Sequence, residues 1–440
     1  MGNRLKHKQS LFNGYYAEAP LYKRKCLAGL NGLLHWSQDH RSSKATDQEG
    51  RTADVILKAT CGHTCPLADF VNGEPKYPSG TRSFSEQISC WADTQYSVRK
   101  VLSHLKLKQA IDDTSFQESV NKKFLEFHRD ITEECGAEDK QHSWAVIEKH
   151  DEILMYGPYY PNYNNGKHSE DTIIKQTQEL LESESVSEDW TVYVFTMNSP
   201  CLARNTDPCM LTLVQKAEEW WRLYGVKTNI GYVKCWGFKG TKENLFRDIN
   251  YRQLDCIRSS PDYGSYIKAA QESPKELTPL CKDLYCAVKQ LLHAGQVDFR
   301  FPLVTTMQGQ DWRSCFKNMH SILECEPEDK RETLTQDINT AIEAAQLLLS
   351  EEHASVEEYL QRGRTFALDD SFSSQACDQT RLAFQQCWMD MVQDKYAEFI
   401  REKLTEDFNQ RAVQLFIKDI ARFTKEYIQI GRVQLSEAVS

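Results

Sequence analysis

The chain lacks any apolar run long enough to cross a membrane as a helix, which excludes a helical membrane protein. Its first residues, Met1-Gly2-Asn3-Arg4-Leu5-Lys6, contain no apolar core of a secretory leader. Lys6 stands where an N-myristoylation signal carries Ser or Thr, and the final Glu437-Ala438-Val439-Ser440 offers no cysteine for prenylation. Excess positive charge is also missing. With 53 Lys and Arg against 63 Asp and Glu, the net charge is −10, so the chain does not coat nucleic acid through bulk charge. No internal repeat is visible. The 15 cysteines are spread from Cys26 to Cys387, without the density of a small disulfide scaffold. These absences together predict a cytoplasmic protein, with the nucleus as the other compartment, whose thiols are reduced and mostly buried as small apolar groups.

What is present is ordinary globular composition, 40% hydrophobic and 26% charged, over a length that suits two or three domains. Residues 1–140 form an N-terminal region whose function the sequence does not declare, with helical patterns around Gln87–Leu107 and Phe116–Thr132. Residues 141–325 alternate strand and helix signals. Ser143–Glu148 and Glu152–Tyr156 read as a hairpin, and Trp190–Met197 as a strand buried on both faces. A helix with Asp207 as its cap and Pro208 at its first position leads into a strand at Thr228–Trp236. A last strand is expected at Gln296–Val304. This order predicts an α/β sandwich with neighbouring parallel strands. Residues 326–440 read as a helical extension, with Thr380–Phe399 and Asn409–Ile428 as separate helices that offer a surface to a protein partner.

Within the middle region, His168-Ser169-Glu170 opens a helix. Ser199-Pro200-Cys201 ends the apolar strand, and Cys209 starts the next helix. One His, two Cys and one nearby carboxylate are what hydrolytic removal of an amino group from a nucleobase needs. A zinc ion with three protein ligands and an open position lowers the pKa of a bound water to about 7. His168, Cys201 and Cys209 are the expected ligands. Glu170 is the expected proton carrier, beside the metal and outside its ligand set. Singly, each residue reads as a surface histidine or a buried thiol. The joint pattern of helix start, apolar strand, Pro-Cys and second helix start carries the reading.

These segments resemble the AID/APOBEC branch of the deaminase superfamily. Asn165-Gly166-Lys167-His168-Ser169-Glu170 is similar to its Asn-Gly-Cys-His-Val-Glu type of segment, and Ser199-Pro200-Cys201 to its Ser-Pro-Cys. Leu291-Leu292-His293-Ala294-Gly295, the strand after it and Asp311-Trp312 are similar to its last core strand and flanking helices. The resemblance spans about 143–325 and suits a divergent, novel AID/APOBEC-like member. It implies a cytidine-deaminase-like three-layer sandwich with a five-stranded mixed sheet, and zinc bound by His168, Cys201 and Cys209 with Glu170 as proton shuttle. It also implies substrate contacts from Asn164 or Asn165 before the histidine, from Asn198 and Ser199 at the strand end, and from Trp236 and Phe238, whose rings would stack on a flanking base.

Three departures stand out. The cysteines are spaced C-x7-C, longer than the usual C-x2-C to C-x4-C; Asn198 replaces a tryptophan; and Tyr163 stands where an asparagine is common. The expected activity is conversion of cytosine to uracil on single-stranded DNA or RNA. Two alternatives stay open: a deaminase of free nucleosides or nucleotides, and a binding protein with a structural or vestigial zinc site. Lys167, Arg204, Lys234, Lys239, Lys242 and Arg247 could hold phosphates or form a solvated surface. A second cysteine group, Cys61-x-His63-x-Cys65 with Cys90, matches no common structural zinc spacing.

Overall fold

A computed structural model describes residues 22–25, 82–106, 114–136, 140–150, 152–183, 190–239, 245–273, 277–294, 299–303, 312–325, 327–349, 353–367 and 378–435. Cys61, His63, Cys65, Lys242 and Asp311 lie outside these residues.

Six strands form one mixed sheet: β1 (Tyr22–Lys25), β2 (Ser143–Glu148), β3 (Glu152–Tyr159), β4 (Thr191–Asn198), β5 (Lys227–Lys234) and β6 (Ile428–Arg432). Their order is β1-β3-β2-β4-β5-β6. β2 pairs antiparallel with both β3 and β4, whereas β4–β5 and β5–β6 are parallel. The expected five-stranded mixed sheet is thus β2 to β6, and β1 adds an antiparallel edge to β3.

Alternation along the central strands divides the interior. Trp144, Val146, Tyr193 and Phe195 face α3 (Glu118–Cys135), where Phe124, Phe127 and Ile131 meet them. Trp144 and Phe195 stack with ring centres 4.7 Å apart. Ala145, Ile147, Val192, Val194 and Ile230 face the opposite layer. There α4 (Ser169–Ser183) and α5 (Cys209–Tyr224) cover the sheet, joined by α1 (Phe84–Ala92) and α2 (Thr94–Lys106). α5 buries Met210, Leu213, Val214, Ala217 and Trp220 at helical spacing and stops at Gly225, which is left-handed. α6 (Tyr251–Ser259), α7 (Tyr263–Glu272), α8 (Lys282–Ala294), α9 (Glu328–Leu348) and α10 (Val356–Ala367) continue this layer, with a 3₁₀ segment at Trp312–Cys325.

The C-terminal stretch departs most from expectation. Thr380–Phe399 and Asn409–Ile428 are parts of one helix, α11 (Asp378–Thr424), 47 residues long, and residues near Ile428 leave it to become β6. Of the strand expected at Gln296–Val304, the described residues 299–303 do not join the sheet. Phe301 instead makes an isolated bridge to Ala354, and β6 takes the place beside β5. The physical reason is that Ile428 and Ile430 carry the β-branched pattern of a strand, in a segment whose preceding helical period masks it. Among the described residues no helix is long and apolar enough to cross a membrane.

α11 is tied to the N-terminal helices through a buried carboxylate. Asp419 Oδ2 accepts from Gln87 Nε2 at 2.8 Å, Trp91 Nε1 at 2.9 Å and Lys100 Nζ at 2.5 Å. Removing the carboxylate leaves three donors without it in a mostly dry contact. Asp419→Ala should therefore lower unfolding stability in urea by about 2–4 kcal/mol. A loss below about 0.5 kcal/mol would show that the carboxylate does not fasten the layers.

Candidate metal centre

The site forms where two helices begin and one strand ends. His168 immediately precedes α4, and its N–H donates to Asp171 Oδ2 at 2.9 Å, one half of a capping arrangement. Cys201 follows β4 by a short turn that is hydrogen-bonded across to β5. Ser199 N–H donates to the Lys234 carbonyl at 2.7 Å, and Leu202 N–H donates to the Gly237 carbonyl at 2.9 Å. Ser199 Oγ accepts the Trp236 N–H at 2.9 Å.

α5 begins at Cys209, with Pro208 in the cap position and no side-chain cap. Asp207, expected as the cap, lies one residue too early, and its carbonyl accepts from Arg204 Nε instead. The first N–H groups of α5 turn to Cys201: Cys209 N–H to its sulfur at 3.4 Å, Met210 N–H to its carbonyl at 3.1 Å.

The three donors meet. His168 Nδ1 lies 3.7 Å from Cys201 Sγ and 3.4 Å from Cys209 Sγ. All three donor atoms lie within 4.8 Å of one another, so the group can hold a metal ion. Both cysteines are buried and His168 is partly so. The hydrogen bond with Cys209 does most to lower the Cys201 thiol, to about 5, against the opposing effect of burial; the bond with His168 adds to the lowering. The same shared hydrogen bond and burial push Cys209 up. The imidazole's own pKa is raised, first by its bond to Cys201.

Glu170 sits in the first turn of α4, 3% exposed, and burial raises its pKa. Ser169 Oγ donates to its Oε2 at 3.2 Å, and Thr196 Oγ1 lies 3.4 Å from its Oε1. Both His168 and Cys201 act electrostatically on the carboxylate, Cys201 adding to the rise and His168 opposing it.

The other expected site residues divide. Asn164 and Asn165 are exposed on a 3₁₀ turn that closes with Gly166 and leads into His168. Asn198 ends β4, with its N–H donating to Gln141 Oε1 at 2.9 Å. Ser199 is buried in the latch described above. Trp236 is partly exposed in the loop after β5. Phe238, expected to stack on a base, is 4% exposed and packs on Phe408 of α11, with ring centres 5.7 Å apart. Asn409 Oδ1 accepts its N–H at 2.6 Å, so the long helix pulls this ring into the core. Of the basic residues, Lys167, Lys234, Lys239 and Arg247 are exposed, whereas Arg204 is committed to Asp171. The hydroxyls around Glu170 and the loop anchor Asn409 escaped the sequence reading. Their only sequence signals are a Ser in the first turn of a helix, a Thr in a strand and an Asn in a helix.

This combination of a mixed α/β sheet, two helix starts and a His/Cys/Cys cluster beside a buried glutamate fits a deaminase. A family model described as Secreted Novel AID/APOBEC-like Deaminase 3 matches residues 59–430, and the chain belongs to that family. No curated protein and no solved structure matches the chain. The family's description as secreted overturns the cytoplasmic or nuclear assignment and points outside the cell. That assignment rested on the missing apolar leader, and the expectation of reduced thiols loses the same support. Among the described residues ten cysteines are free of disulfides.

Gly237 adopts φ +56, and a Cβ there would meet Asn409 Oδ1 at 2.6 Å; Gly166 adopts φ +63 with nothing within 4 Å. Gly166→Ala should cost about 1–2 kcal/mol from the left-handed backbone alone. Gly237→Ala should cost about 2–4 kcal/mol because it also displaces Asn409. Equal losses in thermal unfolding of the two variants would remove Asn409 from the account of this loop.

Proposed function

We propose that the protein is a zinc-dependent cytidine deaminase acting on single-stranded nucleic acid. The observation that carries this reading is the imidazole nitrogen of His168 at 3.7 Å and 3.4 Å from two buried thiols, with Glu170 alongside. A tetrahedral zinc with bonds of about 2.3 Å to sulfur and about 2.0 Å to nitrogen separates such donors by about 3.5 Å. One imidazole and two thiolates are also zinc's preferred donor types. Three protein ligands leave one position open, as in catalytic rather than structural sites.

A zinc ion held there supplies, when bound, a water acidic enough to attack at neutral pH. Glu170 takes the proton from the attacking water and passes it to the ring nitrogen, while the new C–O bond forms at C4. It then takes the remaining proton from the added C4 hydroxyl and hands it to the departing amine; the C4–N bond breaks, C4 becomes a carbonyl, and ammonia and uracil result. Burial holds the carboxyl's pKa above its ordinary value, which favours a group that must both accept and return a proton. Thr196 and Ser169 fix its two oxygens.

A polynucleotide substrate is supported by exposed groups around the site. Lys234 and Lys239 flank the partly exposed Trp236, and Lys167 and Tyr163 project from the turn before His168. Positive charge with aromatic faces is the combination that holds a single strand. Their local charge runs against the net −10 of the chain.

Glu170→Gln should keep bound zinc and lower uracil formation on a cytosine-containing single strand by about 10²–10⁴-fold. Wild-type turnover in this variant would refute the assigned proton path. Turnover of free cytidine, with none on single-stranded DNA or RNA, would instead move the substrate to free nucleosides.

A further inference from the structure

We propose that Asp171 and Arg204 form a clamp that closes the long loop between Cys201 and Cys209 and so sets the spacing of the metal ligands. The proposal rests on the metal-site reading above and adds two positioning residues to it.

The loop Leu202–Pro208 is seven residues long, and its ends carry two ligands that must stay within a coordination sphere. Closing such a loop costs chain entropy, and its ends drift unless something inside it is fixed. Arg204 is that fixed point. Its guanidinium grips Asp171 in a two-pronged bond, 2.9 Å to Oδ2 and 2.8 Å to Oδ1. Its Nε reaches back to the Asp207 carbonyl, immediately before Pro208. The two side chains are 13% and 27% accessible, so the pair is only partly screened by water.

Asp171 in turn accepts the backbone N–H of His168 at 2.9 Å. An unbroken path therefore runs from the His168 backbone through Asp171 and Arg204 to Asp207, two residues before Cys209. It links the histidine side of the site to the cysteine side without touching the donor atoms. This geometry explains how a C-x7-C spacing still returns its second cysteine to the first. It also takes Arg204 out of the set of phosphate-binding candidates. A lysine has a single nitrogen and cannot span both the carboxylate and the carbonyl.

The test compares the wild-type full chain with Arg204→Ala, Arg204→Lys, Asp171→Asn and the double variant Asp171→Asn/Arg204→Ala. Two quantities are read: the rate at which zinc passes to a chromogenic chelator, and the thiolate-to-cobalt absorption of the cobalt-loaded protein. Arg204→Ala should release zinc about 10–100-fold faster, as loss of an outer partner of a metal ligand does. Asp171→Asn should release it faster too, while keeping an acceptor for His168 N–H. Arg204→Lys should fall closer to the alanine variant than to wild type. The double variant should be no worse than the worse single one, because the two residues act as one unit. Each should also change the cobalt spectrum, which general loss of stability in a folded protein would not do. Release rates within twofold of wild type together with an unchanged spectrum overturn the clamp. If the wild type itself binds neither metal, the metal reading fails and the clamp fails with it. Should Arg204→Ala not fold, Asp171→Asn decides alone.

Discussion

Holding two thiols, an imidazole and a carboxyl together away from water costs free energy in any fold, and this site brings all four together. Burial raises Glu170 and opposes the charged form of both thiols. What keeps them together is backbone geometry fixed elsewhere. The parallel pair β4–β5 places the Cys201 turn against the loop that follows β5, through Ser199 to Lys234 and Leu202 to Gly237. The starts of α4 and α5 then present His168 and Cys209 across that turn. N–H groups left open at the start of a helix favour negative charge, and here two of them fall on Cys201.

The same logic extends to the far end of the chain. α11 runs along the helical layer and sends β6 into the sheet as the parallel neighbour of β5. From its middle, Asn409 holds the backbone at Phe238, one residue from the Gly237 carbonyl that anchors Leu202. The C-terminal stretch therefore packs into the main core and reaches the site loop through two hydrogen bonds. Phe238 shows the consequence: a ring in the loop after β5 is drawn under Phe408.

Much of the centre was legible because it depends on short-range signals. His168 before a helical stripe, Pro200-Cys201 after a β-branched run and Cys209 after Pro208 each mark an element end. The ends of consecutive elements in an α/β sheet fall on one side. The hairpin, β4, α5 and β5 followed from period and punctuation alone. What escaped depended on contacts distant in sequence. No local pattern pairs Asp171 with Arg204, or Asp419 with Gln87 and Lys100. The strand at Ile428–Arg432 was hidden because five residues after a 47-residue helix read as its continuation. Gln296–Val304 looked like the missing strand because its composition is right. Composition does not say which of two candidate strands occupies the edge beside β5. The compartment is not legible in the N-terminal segment, whose polar residues point inside the cell whereas the family is described as secreted.

The central claim is that one zinc ion sits between a single imidazole and two sulfurs. X-ray absorption at the zinc edge of the purified, metal-loaded protein measures this directly. The account predicts a four-coordinate site with two sulfur neighbours at about 2.3 Å and light nitrogen or oxygen neighbours at about 2.0 Å. A shell of four sulfurs, a shell without sulfur, or protein that retains no zinc would contradict it.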